Sequence, residues 1–236
     1  MMSVQLRLAT TDEDRAAAYK LRYDLYVRRL GQFLDEADHE RGLLIDDDDP
    51  YSYVFIATEE GRAVGTSRLT LCRDKPLSAA ARQAFDVERF DGVVAEEDMG
   101  VASRLAICPE YRGGRLGTDL LAKAYEMGAI EGLELILGRC APPLLNFHLK
   151  RGAQHYGDVD QHPTHGERCR IVVVTSDFDY LRKTRSPMLA ALSRRTKSTD
   201  IVHRIRPCLA NNAVPAVMPT LAASPTPPRV GTANVL

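Results

Sequence analysis

The segment that most restricts the fold of this chain is residues 103–121, which read SRLAICPEYRGGRLGTDLL. An apolar stretch typical of a buried strand runs into a turn that begins with Pro109, contains Gly113 and Gly114, and leads into an amphipathic helix. Backbone N–H groups in the first turn of a helix have no partner within the helix, and the helix dipole is positive there. Because glycines leave room for an anion, this segment predicts a phosphate-binding turn; an ordinary strand-to-helix turn is the alternative.

Strand and helix patterns alternate along the chain, which predicts an α/β fold. The predicted strands are residues 4–8, 53–58, 63–71, 100–107, 133–138 and 170–174. The predicted helices are residues 11–29, with Thr11 as the cap, and residues 77–85, 118–128 and 143–150. Residues 59–62 join the second and third strands as a hairpin turn, and residues 35–50 read as a loop.

Length, charge and cysteine content exclude several classes of protein. A chain of 236 residues fits one folded domain, and its formal net charge of -1 favours no nucleic-acid partner. Five scattered cysteines without a CxxC pair argue against a disulfide framework and against a zinc site. Apolar runs are too short for a membrane span, and we find no secretory signal. We therefore expect a cytoplasmic protein without a metal or an integral membrane segment.

Charge is distributed unevenly. Residues 35–49 contain eight acidic residues and one basic residue, whereas residues 182–206 contain eight basic residues and one acidic residue. The sequence after residue 206 contains six prolines among alanine, serine, threonine and asparagine, and it lacks aromatic residues. We interpret residues 1–195 as the folded domain and residues 196–236 as a mobile tail. The basic run, including Arg194, Arg195 and Lys197, is a candidate docking surface for an acidic partner, although a solvated helix face is the simpler interpretation.

Two motifs resemble the GNAT acyltransferase superfamily. The stretch CPEYRGGRLGTDLL is similar to its acyl-CoA-binding motif and places Arg112 and Gly117 at matching positions, while Arg115 replaces a glycine. Further on, LLNFHLKRGA resembles the region that carries a tyrosine acid in that superfamily, and His148 takes the place of the tyrosine. The resemblance implies a mixed, mostly antiparallel sheet, split near residues 100–107, with helices on both faces.

The N-terminal half narrows the resemblance. The stretches LRYDLY at residues 21–26, the acidic residues 46–49, GTSRL at 65–69 and SRL at 103–105 resemble acyl-homoserine-lactone (autoinducer) synthases. The stretch DFDYLR at residues 177–182 looks more like the related long-chain N-acyl amino acid synthases. Val101 stands where the lactone synthases have the acidic residue of Glu-x-Ser-Arg, which favours the second branch. The resemblance covers about residues 4–190.

The resemblance implies an N-acyltransferase that moves a fatty acyl group to the amine of an amino acid. The donor would be the acyl-phosphopantetheine of acyl carrier protein or acyl-CoA, with no permanently bound cofactor. The implied donor-binding residues are Leu105, Ile107, Arg112, Gly113, Gly114, Arg115, Leu116, Gly117 and Thr118. The implied catalytic residues are Arg104, Asp48 and His148. The implied acceptor-binding residues are Arg22, Arg68 and Asp46.

The chemistry of these residue types agrees with that assignment. Aminolysis of a thioester needs mainly a neutral amine, a polarised carbonyl and orientation. Arginine forks bind carboxylates bidentately, and a carboxylate such as that of Asp48 can hold or deprotonate an ammonium group. Pairing of the arginines with the acidic loop for folding alone is an equally open interpretation. Other possible functions are a CoA-dependent GNAT N-acetyltransferase, an acyl-homoserine-lactone synthase, and a non-catalytic acyl-thioester sensor.

Overall fold

The computed structural model describes residues 3–162, 166–195 and 201–209. The strands are β1 (Gln5–Leu8), β2 (Ser52–Glu59), β3 (Arg62–Leu71), β4 (Met99–Ile107), β5 (Leu135–Cys140), β6 (Gln154–His155), β7 (Asp160–His162) and β8 (Gly166–Val174). The α-helices are α1 (Asp12–Arg22), α2 (Ala79–Phe85), α3 (Leu116–Ile130), α4 (Leu145–Leu149), α5 (Phe178–Lys183), α6 (Leu189–Leu192) and α7 (Val202–Leu209). A π-helix at Tyr23–Arg29 continues α1.

The strands form one sheet in the order β1-β2-β3-β4-β5-β8-β6, and β7 pairs with the start of β8. Neighbouring strands are antiparallel except β4 and β5, which run parallel. That parallel pairing joins only residues 99–101 to residues 135–137, after which the two strands separate. The expected mixed, mostly antiparallel sheet with a split at the fourth strand is confirmed.

Helices cover both faces of the sheet, as expected. On one face α3 packs Leu120, Leu121 and Ala124 into the larger hydrophobic core. On the other face the rings of Phe90 and Tyr156 lie 5.2 Å apart in a second core, which α7 helps to close. Because both sides of the paired segments 135–138 of β5 and 171–174 of β8 are covered, these segments are continuous apolar runs instead of alternating patterns.

Helix α1 begins as predicted and continues differently. The hydroxyl of Thr11 accepts a hydrogen bond from the backbone N–H of Asp14 at 3.2 Å, which caps the helix. The prediction of one regular helix to residue 29 is wrong, because the backbone widens into the π-helix at Tyr23–Arg29. Such π turns change the direction of side chains and occur frequently at functional sites. Here the hydroxyl of Tyr26 donates to the carbonyl oxygen of Leu105 on β4 at 2.8 Å.

Part of the predicted tail is folded. The expectation of a mobile segment from residue 196 is wrong for residues 201–209, which include α7. Ile201 and Ile205 are buried in the second core, so apolar contacts outweigh the basic residues and the internal Pro207. Residues 196–200 and 210–236 lie outside the described residues, as does that part of the prediction. Residues 154–162, for which the sequence predicts no strand, contain β6 and β7.

Candidate active site

A cleft opens where β4 and β5 separate. Beyond residue 101, no strand in the described part of the chain pairs with the edge of β4 that faces β5. Leu105 and Ile107, two of the predicted donor-binding residues, are half-buried on this part of β4. An unpaired strand edge can bind an extended ligand through backbone hydrogen bonds. The end of β4 is therefore a candidate binding edge.

Arg104 lies in a β-bulge at this edge. The register between β3 and β4 shifts so that residues 104 and 105 oppose Ser67 alone. Arg104 has a φ of 54°, a left-handed conformation that costs a non-glycine residue about 1–3 kcal/mol. Bulges redirect a side chain. The Nε and Nη2 atoms of Arg104 donate to one carboxylate oxygen of Asp46 at 2.9 and 2.5 Å.

A cluster of ion pairs, here called the charge cluster, lies beside the bulge. Its members are Arg22, Arg68, Arg104, Asp46, Asp48 and Asp49. Arg68 bonds to Asp46, and its guanidinium lies 3.2 Å from both Asp48 and Asp49. Arg22 donates to Asp49 at 2.6 Å, and both of these side chains are buried. Three guanidinium groups thus face three carboxylates, and every member has an ionic partner inside the cluster.

Burial and ion pairing set the protonation states of this region. Burial by itself would raise the pKa of Asp46, but the charges and hydrogen bonds of Arg68 and Arg104 outweigh it and hold this pKa below its ordinary value. Asp46 is therefore ionised at neutral pH and is a poor proton acceptor. Burial raises the pKa of Tyr26, so its phenol stays neutral and can donate to the backbone of β4.

Most of the predicted residues in this region come together. Arg68, Arg104, Asp46 and Asp48 surround the bulge, as the sequence led us to expect. The expectation that Arg22 touches the acceptor is wrong, because its side chain is 0% exposed. Its guanidinium instead lies between Asp49 and the ring of Tyr19, 5.1 Å from the ring centroid. Arg22 therefore stabilises the buried side of the charge cluster.

The sequence reasoning missed four residues around the bulge. Asp49, which we did not single out within the acidic run, is the carboxylate that neutralises Arg22. Ser103 accepts a hydrogen bond from Arg68 at 3.1 Å. The carboxylate of Glu36 lies 4.0 Å from Arg104, and the ring centroid of Phe33 lies 4.2 Å from the Arg104 guanidinium carbon. Only burial and proximity, which are tertiary properties, distinguish these residues from their sequence neighbours.

The predicted phosphate-binding turn lies at the end of β4. Arg112, Gly113, Gly114, Arg115, Leu116, Gly117 and Thr118 connect β4 to α3 in one continuous segment. No side chain caps the first turn of α3. Gly113 has a φ of 80°, which favours glycine, and a Cβ atom on Gly114 would meet only the carbonyl oxygen of Tyr111 at 3.6 Å. The turn is open to an approaching anion.

Gly117 and Thr118 serve packing. A Cβ atom on Gly117 would lie 3.0 Å from Ile107 and 3.2 Å from Phe147. The missing side chain of Gly117 therefore lets α3 approach β4 and α4, and our expectation that it leaves room for an anion is wrong. The hydroxyl of Thr118 accepts a hydrogen bond from Arg151 at 2.8 Å, which ties α4 to the start of α3.

A surface cavity of about 870 Å³ extends from this turn along α3. Arg112 and Gly114 line one end, and Ala190 and Arg194 line the other. Arg194 is largely exposed and pairs with Glu126 at 2.8 Å. The cavity lining contains both cationic and acidic side chains, and the cavity offers space for a ligand beside the turn.

The basic run predicted to dock a partner is divided between surface and core. Arg195 is buried and donates to Glu134 at 2.7 Å and to the backbone of Leu133. The prediction that Arg195 faces a partner is therefore wrong, because its guanidinium neutralises a buried carboxylate. Arg194 stays on the surface. Lys197 lies outside the described residues.

His148, the predicted proton donor, lies on α4. Its Nδ1 atom is buried and has no hydrogen-bond partner among the described residues. Burial, aided by the charge of Arg151, lowers the pKa of His148 to about 4. The imidazole is therefore neutral at pH 7, and any proton that it supplies at that pH comes from a neutral N–H group.

The family model of the N-acyl amino acid synthase FeeM matches residues 17–175. This match covers the charge cluster, the bulge, the turn and α4. The chain belongs to the FeeM family of N-acyl amino acid synthases. It is therefore an acyltransferase, and the resemblance predicted from the sequence is confirmed. Among curated proteins, no sequence matches the chain.

Solved structures show where the FeeM-family fold recurs. The acyl-homoserine lactone synthase BjaI, described as CoA-dependent and solved with MTA, is 17% identical, with a TM-score of 0.61, over 82% of this chain and 98% of its own. FeeM itself, from uncultured soil microbes, is 9% identical, with a TM-score of 0.57, over 80% of this chain and 98% of its own. Escherichia coli ElaA is 15% identical, with a TM-score of 0.50, over 73% of this chain and 99% of its own. At such identities these likenesses show the fold alone.

The described residues contain neither a metal-binding group nor a membrane-spanning helix. No group of three or more histidine, cysteine, aspartate and glutamate side chains in residues 3–162, 166–195 and 201–209 could hold a metal ion. Over the same ranges, no helix is both long and apolar enough to cross a membrane.

Two neighbouring aspartates of the cluster differ in burial, which allows a matched test. We expect Asp49→Asn to lower the free energy of unfolding by about 3–5 kcal/mol, because it leaves buried Arg22 without its carboxylate. Asp48→Asn removes a half-exposed partner of Arg68 and should cost about 1 kcal/mol or less. Urea unfolding of both variants measures the difference. Equal losses would contradict the structural role assigned to Asp49.

Proposed function

We propose that this acyltransferase moves a fatty acyl group from the thioester of acyl carrier protein to the amine of an amino acid. One observation carries the proposal: the unpaired end of β4 runs past the bulge at Arg104 directly into the open turn before α3. A thioester on a phosphopantetheine arm has the same layout, with an extended amide chain between the reacting carbonyl and a phosphate. Membership of the FeeM family supports the amino-acid acceptor.

The donor binds along β4. Its arm pairs with the backbone of residues 105–107, and its phosphate reaches the turn at Arg112, Gly113 and Gly114, where the first N–H groups of α3 and nearby guanidinium groups attract an anion. Acyl-CoA has the same arm and phosphate, and the structurally similar BjaI is described as CoA-dependent. Acyl-CoA is therefore the alternative donor. Either donor is a substrate, not a resident cofactor.

The reaction is aminolysis. The amine nitrogen of the acceptor attacks the thioester carbonyl carbon, a C–N bond forms, and the C–S bond breaks. The sulfur leaves as a thiolate, and the proton lost from the amine restores the thiol. A thioester is already activated, so holding the amine and the carbonyl together supplies most of the rate enhancement.

The charge cluster orients the acceptor. Asp46 is held ionised by two arginines, so it fixes Arg104 and does not act as the base. Asp48 has a half-exposed carboxylate that can attract the ammonium form of the amine. His148, neutral at pH 7 and located on α4, can give a proton to the departing sulfur only through its neutral N–H group.

An observation on β4 favours an amino-acid acceptor over lactone formation. Val101 stands where the lactone synthases carry an acidic residue, and it packs into the second hydrophobic core. It pairs with Thr70 and Leu137 on the neighbouring strands. Because an apolar side chain fills this position, no carboxylate is available there.

The function is tested with dodecanoyl acyl carrier protein and a mixture of the twenty amino acids. We expect release of free thiol together with an N-dodecanoyl amino acid, detected by mass spectrometry. The same mixture with dodecanoyl-CoA compares the two donors. S-adenosylmethionine, offered as the acceptor in place of the amino acids, tests for acyl-homoserine-lactone synthesis. An acetylated product formed only from acetyl-CoA would identify an N-acetyltransferase. Tight donor binding without thiol release would identify a sensor and overturn the proposal.

The turn is tested by Gly114→Val. The side chain fits the fold, because only one backbone oxygen lies near the position of its Cβ atom, but it crowds the path of a phosphate. We expect an unchanged melting temperature and about tenfold weaker donor binding, equivalent to about 1.4 kcal/mol. Donor titration checks this. Unchanged donor affinity in the folded variant would remove the turn from the donor site.

The bulge is tested by Arg104→Lys, with Arg7→Lys as the control. Both arginines donate to one aspartate from Nε and from Nη2, but the Arg7–Asp14 pair lies on the surface and away from the cleft. Lysine keeps the charge and loses the fork. We expect Arg104→Lys to lower acyl transfer about 100-fold or more, as misplaced catalytic geometry does, while donor affinity is retained. Arg7→Lys should transfer normally. A fall of stability with unchanged acceptor dependence would make Arg104 purely structural.

A further inference from the structure

Arg168 on β8 is a half-buried cation without a carboxylate partner. Among the described residues, its guanidinium donates only to the carbonyl oxygen of Glu167, at 2.9 Å, and forms no ion pair. Asp160 lies opposite Arg168 in the register of β7 and β8, yet this carboxylate bonds to Arg139 and lies 3.7 Å from Arg170. The carboxylate that lies opposite Arg168 on the neighbouring strand is therefore already bound to other arginines.

Arg168 lies on the wall of the cleft opposite β4, at its open end. The register places it there, because Cys140, the last residue of β5, pairs with Cys169, so that Arg168 lies just beyond β5 where β4 and β5 have already separated. It interacts electrostatically with Cys140, the last residue of β5, and with Tyr26, whose hydroxyl is bound to Leu105 on β4. Burial of a guanidinium group without a counter-ion is unfavourable. An arginine side chain nevertheless stays charged at neutral pH. Arg168 can therefore bind an anionic group that enters the cleft.

The charge cluster on the other wall has no free cation to offer. Each of its three arginines is already bound to an aspartate. Glu36, half-exposed and 4.0 Å from Arg104, adds a further negative charge on that side. His162, which pairs with Gly166 in the register of β7 and β8, interacts electrostatically with both Glu36 and Arg168. The cleft is thus acidic on the β4 side and basic on the β8 side.

We propose that Arg168 binds the carboxylate of the acceptor amino acid, while the carboxylates on the β4 side attract its amine. An amino acid carries these two charges on adjacent groups, and a guanidinium fork matches a carboxylate. This inference rests on the proposed function and names the substrate class as amines with a free carboxylate on the neighbouring carbon. It moves carboxylate recognition away from the arginines of the charge cluster.

The test compares acceptors with and without the carboxylate. Wild type, Arg168→Lys and Arg168→Gln are titrated with the amino acid that is acylated in the pooled assay and with its carboxamide. We expect Arg168→Gln to raise KM for the acid about ten- to hundredfold, the range for one hydrogen-bonded ion pair, and to change KM for the amide less than twofold. Arg168→Lys should be intermediate. Donor KM should stay constant.

Arg7→Gln is the control for loss of one positive charge, because the Arg7–Asp14 ion pair lies on the surface and away from the cleft. It should behave as wild type with both acceptors. Equal losses on acid and amide in Arg168→Gln would overturn the proposal and indicate a structural role. A rise in donor KM with unchanged acceptor KM would assign Arg168 to the donor phosphate and also overturn it.

A binding experiment separates this inference from the proposed function. N-dodecanoylglycine and its carboxamide are titrated calorimetrically into the full-length protein without any donor. We expect wild type to bind the acid about tenfold or more tightly than the amide, and Arg168→Gln to bind both equally. Acyl transfer without this preference refutes the Arg168 assignment alone. If wild type prefers the acid over the amide but no acyl transfer is detected, the result supports the Arg168 site and refutes the enzymatic function.

Discussion

Two arginines buried against the sheet, Arg22 and Arg68, place the strongest demand on this fold. Taking a guanidinium group out of water is costly unless a carboxylate accompanies it, and Asp46 and Asp49 meet that demand. A run of four aspartates would otherwise repel itself and stay solvated, yet here it folds onto the arginines. The order of this loop in turn fixes the carboxylate that holds Arg104 at the edge of the cleft.

The cleft results from two irregularities of the sheet. The parallel pairing between β4 and β5 ends after three residues on each strand, and the bulge at Arg104 interrupts the ladder between β4 and β3. Together they leave backbone groups of β4 accessible in the centre of a sheet whose other parts are paired. The close approach at Gly117 then places the start of α3 against the end of β4. The fold therefore joins an open strand edge and the turn that we propose for the donor phosphate in one continuous segment.

Similarity to known structures persists here without similarity of sequence. The structure of FeeM shares 9% of its residues with this chain and has a TM-score of 0.57. At this identity such chains can share the pattern of apolar strands, the separation of two neighbouring strands such as β4 and β5, and the turn before α3. Backbone hydrogen bonding and core packing tolerate many different side chains. We expect differences in function between such chains to depend on single residues, such as Val101 in the paired part of β4 and Arg168 on β8.

Local patterns in the sequence determined most strands, the cap at Thr11, the turn at Gly113 and Gly114, and the family to which the chain belongs. These features depend on residues close together in the chain, so their spacing is visible without a structure. Tertiary structure alone decided that Arg22 and Arg195 are buried, that Arg104 takes a left-handed conformation, and that Ile201 and Ile205 carry α7 into the core. It also decided that Arg168 has no carboxylate partner among the residues that the structure describes. Burial and ion pairing depend on which distant segments meet. The sequence alone does not distinguish an arginine that faces water from one that faces a buried aspartate or an open cleft.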